Sequence, residues 1–125
     1  MSYREAEEEK WNENPVEENS EDIDLCRAYL VGLEDTTMEE SATAFWDRVL
    51  HYFVNSNGNY QGRAPECLAE RFGGIRDCCL RYKKILRGLN MDQEAAILAY
   101  AASVGREFKF MEAYEIIKGD VLSLY

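Results

Sequence analysis

The sequence predicts an all-α fold, and three observations carry that expectation. Apolar residues recur at intervals of three and four along several stretches, most clearly Ala42, Phe45, Trp46, Val49, Leu50 and Phe53. No stretch alternates Val, Ile or Thr in the manner of a half-buried strand. Only two prolines occur in 125 residues, a length that suits one domain with a modest core. The expected architecture is a three-helix core over residues 20–88, two C-terminal helices within 89–125 packed on it, and an acidic flexible tail over 1–19.

Taken in order, residues 1–19 are rich in Glu and Asn and lack an apolar face, so they read as a tail. Trp11 is its lone tryptophan, and either docks on the domain, anchors a partner or stays exposed. Ser20 is a suitable N-cap for a first helix, with Glu21, Asp22 and Asp24 in the first turn, where the helix dipole favours anions. That helix is expected to reach Gly32–Leu33 and to bury Leu25, Ala28, Tyr29 and Leu33. Thr37-Met38-Glu39-Glu40 has the spacing of a capping box and opens a second helix, which ends before the turn-rich "NSNGNYQG".

A third helix begins near Pro65, a residue whose fixed φ suits the first helical position. Leu68, Phe72, Ile75, Cys79, Tyr82 and Leu86 form its buried stripe, which runs unbroken past Gly73-Gly74, and Gly88 is read as its stop. Asn90 is expected to open a fourth helix, with Ile97, Tyr100, Ala101 and Val104 as its stripe and Gly105 as its end. A fifth, over about 107–118, carries Phe110, Met111, Tyr114 and Ile117 on one face.

The net charge of −10 is unevenly spread. Residues 1–24 hold ten acids against Arg4 and Lys10, while residues 63–91 hold seven basic residues against three acids. Distribution, more than total charge, is what speaks to a site. The first twenty residues are charged where a secretory signal would be apolar, and no run approaches transmembrane length, so an intracellular, reducing compartment and no membrane partner are expected.

Catalysis finds little support. The four cysteines Cys26, Cys67, Cys78 and Cys79 contain no CxxC pair, and His51 is the only histidine, so neither a zinc site nor a nucleophile–base pair has the required spacing. Cys79 lies on an apolar stripe and reads as a small core residue. The "FGG" glycines sit inside a helical stripe instead of after a strand, so they do not make a phosphate loop. The expectation is a protein that is not an enzyme, with no catalytic residues, metal or cofactor.

The third helix is the exception. Opposite its apolar stripe lie Glu70, Gly73, Gly74, Asp77, Arg81 and Lys84, flanked by Arg71, Arg76, Lys83 and Arg87. An apolar seam inward with Arg and Lys outward is how a helix-turn-helix domain presents its recognition helix to phosphates and guanine edges. The two glycines face outward, where they either let a partner backbone approach closely or form a tolerated flexible turn.

The stretches "EDIDLCRAYL", "AFWDRVLHYF" and "RAPECLAERFGGIRDCCLRYKKI", followed by "FKFMEAYEIIKGD", resemble the Myb/SANT-like domain of the trihelix type over about residues 21–120. That variety occurs in plant transcription-factor-like proteins and in accessory proteins of Harbinger-type transposons. The resemblance implies a nuclear protein that binds double-stranded DNA in transcription regulation or transposition, with a core of Leu25, Tyr29, Phe45, Trp46, Val49, Phe53, Leu68, Phe72, Ile75 and Tyr82. It implies DNA contacts from Arg63, Arg71, Arg76, Arg81 and Lys84, to which the helix reading adds Lys83 and Arg87. Phe72 and Tyr114 stand where the family usually has Trp, and Asp77 lies on the outer face. SANT-type relatives imply an alternative, a protein-interaction module for basic partners such as histone tails or for other nuclear proteins.

Overall fold

The computed structural model describes residues 19–35 and 40–124, and among these it is all-helical, as expected, with no strand. Its helices are α1 (Ser20–Glu34), α2 (Ala42–Ser56), α3 (Pro65–Gly88), α4 (Gln93–Val104) and α5 (Met111–Ile117), with short 3-10 turns at Gly58–Tyr60 and Leu122–Leu124. Two compact units divide between Phe72 and Gly73, inside α3.

In the first unit, α1 is capped one residue earlier than expected. Asn19 has extended backbone and its side-chain oxygen accepts from the Glu21 amide at 2.9 Å, which makes Ser20 the first helical residue. Trp11 and most of the acidic tail lie outside the described residues, as do Thr37, Met38 and Glu39 of the expected capping box. Glu40 is not helical. Ser41 caps α2 by accepting from the Ala44 amide at 3.1 Å.

Gly32 sets the approach of α1 to α2, since a Cβ there would lie 2.9 Å from Val49 Cγ2, a stiff β-branched neighbour. Leu25, Val49, Phe53, Leu68 and Phe72 are fully buried, as their spacing predicts. Phe53 stacks on Tyr60 at 4.3 Å between centroids, and Tyr29 on Phe72 at 3.9 Å. Tyr29, Phe45 and Trp46, expected in the core, are only half-buried.

In the second unit, Ile75, Cys79, Tyr82 and Leu86 continue the stripe of α3 into a core completed by Ala96, Tyr100, Phe108, Tyr114, Ile117 and Leu122. Phe108 is its aromatic hub, stacked on Tyr82 at 4.3 Å and edge-on to Tyr100 at 5.0 Å. The stop of α3 corrects the reading of Gly88, which is the last helical residue. Asn90 has the left-handed φ of 55°, its amide donates to Arg87 O, and the Met91 amide donates to Leu86 O at 2.9 Å. That pair of bonds is a Schellman motif with Asn where Gly is usual, because Asn tolerates this conformation best after Gly.

Asn90 therefore ends α3 and does not open α4. Asp92 is the cap of α4, accepting from the Ala95 amide at 3.2 Å, and Gly105 closes it at φ 86°. Residues 107–110, expected in the fifth helix, are non-helical, and Phe108 within this entry is buried in the core.

Candidate nucleic-acid interface

The seven basic residues that sequence and resemblance assign to DNA fall into three groups. Arg63 and Arg71 are engaged by acids of α1. Arg63 Nη2 lies 2.9 Å and its Nε 3.2 Å from Glu21 Oε2, and Arg71 donates from Nε and Nη2 to the two oxygens of Asp22 at 2.8 Å each. The Glu21 and Asp22 side chains are 8% and 1% exposed.

Buried carboxylates at a helix N-terminus gain from the amide dipoles, but they require a cation partner to offset desolvation. Arg63 and Arg71 supply that partner, so their forks are committed to holding the first unit together. The carry-over of these two as DNA contacts is narrowed accordingly. Lys83 forms the second group: its ammonium donates to the Leu122 carbonyl and ties α3 to the C-terminal turn.

Arg76, Arg81, Lys84 and Arg87 remain. Arg81, Lys84 and Arg87 are exposed, and the Arg76 side chain is 38% exposed with its Nε 3.7 Å from Asp77 Oδ1. At 100° per residue these four span an arc of roughly 140° on one side of α3, with Gly73 near its middle and Gly74 at its edge. Asp77 is the one acid within that arc between residues 73 and 88.

Among the described residues, a Cβ built on Gly74 meets nothing within 4 Å, and one on Gly73 meets only Arg76 Nη2 at 3.9 Å. The glycines therefore make no room for the core. The opposite side of this half-helix is fully buried at Cys79 and Tyr82, which fixes its rotation.

The other chemistry-bearing residues form no catalytic or metal-binding group among the described residues. Cys26, Cys67 and Cys79 are buried and Cys78 is half-buried. His51 is exposed, with Nε2 3.1 Å from Asn55 Nδ2. Among the described residues no three His, Cys, Asp or Glu side chains group as metal ligands, and no helix is long and apolar enough to cross a membrane.

The pairing of Glu21 with Arg63 and Asp22 with Arg71 is the feature that sequence reasoning missed. Two consecutive acids read locally as dipole-favoured, and nothing in their spacing names partners 42 and 49 residues away. No protein-family model, curated protein or solved structure matches the chain.

Proposed function

We propose that this chain is a DNA-binding protein of Myb/SANT-like trihelix type, which sets the outer face of the second half of α3 against double-stranded DNA. The observation that supports the reading is the grouping of Arg76, Arg81, Lys84 and Arg87 on one solvent-facing side of a helix whose opposite side is core. Such a face can reach phosphates from its flanks and base edges from its centre. Gly73 and Gly74 lower the surface at that face and let a phosphate backbone come near. A role in transcription regulation or in a transposon system, in the nucleus, follows from the same resemblance.

Four basic residues make a small electrostatic footprint on a chain of net charge −10. Binding is therefore expected to be weak at physiological salt and to strengthen steeply as salt falls. A gel shift on random duplexes tests the reading. The full chain retards DNA at low salt, and Arg81→Ala with Lys84→Ala weakens the shift; absence of any shift at low salt overturns the proposal.

The second reading is a SANT-type protein-interaction module. It is favoured by the acidic total, by Asp77 within the basic arc, and by the engagement of Arg63 and Arg71 in internal ion pairs. Its signature is binding of basic peptides with no retention of DNA.

A further inference from the structure

Between α1 and the start of α2 lies an open hollow of about 280 Å³, walled by Tyr29, Leu33, Phe45 and Trp46 and reaching Glu40. The three rings touch one another, with centroids 5.2–5.5 Å apart, so they form a continuous apolar wall with no gap for a cation between ring faces. Glu40 has a side chain only 9% exposed. Arg48 holds its Oε2 and also donates to the Gly32 carbonyl at 2.8 Å, while Glu40 Oε1 is buried with no hydrogen-bond partner among the described residues. A carboxylate oxygen out of water and unpartnered is costly, and a donor that reaches it removes that cost.

We propose that this hollow is a binding site for one lysine side chain of a partner protein. The chemistry selects lysine among apolar and basic side chains. One oxygen of Glu40 is already used by Arg48, so a guanidinium fork finds no matching pair of acceptors, whereas an ammonium needs one. Glu40 lines the hollow, and its soft terminal torsion is the motion by which Oε1 would meet the ammonium. The lysine methylenes lie along Phe45 and Trp46, and the two remaining ammonium protons face solvent through the open side. A trimethylated or acetylated lysine cannot donate to Oε1 as a cation. The negative net charge of the chain favours approach of a basic partner. This site is separate from the DNA reading and stands or falls without it.

The test is a titration of the full-length protein with the peptide acetyl-Ala-Ala-Lys-Ala-Ala-amide, followed by NMR shifts of the Trp46 indole. The same peptide with arginine, norleucine, acetyllysine or trimethyllysine in place of lysine is run in parallel. The lysine peptide shifts the Trp46 signals in the millimolar range, and each of the others binds about tenfold or more weakly, as expected for loss of one charge-assisted hydrogen bond. Glu40→Gln, which keeps an oxygen for Arg48, weakens the lysine peptide by a similar factor.

The peptide series on the unaltered protein decides the matter even if that variant folds poorly. Equal binding of norleucine and lysine peptides makes the hollow merely apolar and overturns the proposal. Tighter binding of the trimethyllysine or arginine peptide overturns the choice of lysine. A gain of about tenfold for the lysine peptide in Lys10→Met means that the chain's own lysine fills the site, which overturns the assignment to a partner.

Discussion

Arg71 grips Asp22 with two nitrogens at 2.8 Å each, and the carboxylate it holds is 1% exposed. Removing either partner leaves the other buried and uncompensated, which costs far more than the pair itself contributes. Arg71→Ala is expected to destabilise the protein by about 3–5 kcal/mol, read as a lower urea midpoint. Arg71→Met combined with Asp22→Leu restores most of that loss. If Arg71→Ala shifts the midpoint by no more than a surface substitution would, the pair is solvated and Arg71 is available to a ligand after all.

Tyr82 is fully buried and its hydroxyl has no hydrogen-bond partner among the described residues. Tyr82→Phe keeps the stack on Phe108 and deletes an unsatisfied group, so it is expected to be neutral or to stabilise by about 1 kcal/mol. Urea unfolding of the variant checks this. A clear destabilisation means that the hydroxyl has a partner, such as a buried water.

Burial raises the phenol pKa of Tyr60, Tyr82, Tyr100 and Tyr114, helped at Tyr60 by its hydrogen bond to Asp24 at 2.6 Å and at Tyr100 by Cys78. A folded-state pKa above the unfolded value means that the native state binds more protons once the unfolded chain begins to ionise near pH ~10. Stability is therefore fully present below that pH and is lost as pH rises through the folded values. The urea midpoint should be flat in this respect up to about pH 9.5 and fall above it, less steeply in Tyr82→Phe. A midpoint that rises above pH ~10 contradicts the assignment.

Much of the fold was legible because helical burial is periodic. Leu68, Phe72, Ile75, Cys79, Tyr82 and Leu86 are all buried where the three–four spacing puts them. Local capping was read less well, since several residues near each helix end have suitable side chains. Asn19, Ser41 and Asp92 cap where Ser20, Thr37 and Asn90 were expected, with Thr37 outside the described residues. The site was only partly legible. An arginine's position on a helix gives its direction, but not whether a distant carboxylate meets it. Arg63 and Arg71 fall to that ambiguity, while Arg81, Lys84 and Arg87 are exposed as the wheel predicts.

Among the described residues, Gly73 and Gly74 face no neighbour that a methyl group would displace. Gly73→Ala and Gly74→Ala should each stabilise the protein by roughly 0.8–1 kcal/mol, the difference in helix propensity. In the DNA reading the same double variant weakens DNA binding, because the added Cβ atoms keep the backbone away. Greater stability with unchanged binding leaves the glycines without a contact role.

The central claim concerns the face made by Arg76, Arg81, Lys84 and Arg87, and the salt dependence of DNA affinity tests it most directly. Fluorescence anisotropy on a labelled random duplex gives log K against log salt for the full chain. Up to four phosphate contacts predict a slope of about −3 to −4, and each neutralised residue among the four should lower its magnitude by about 0.9. A slope near zero, or one that Arg81→Ala with Lys84→Ala leaves unchanged, would contradict the account.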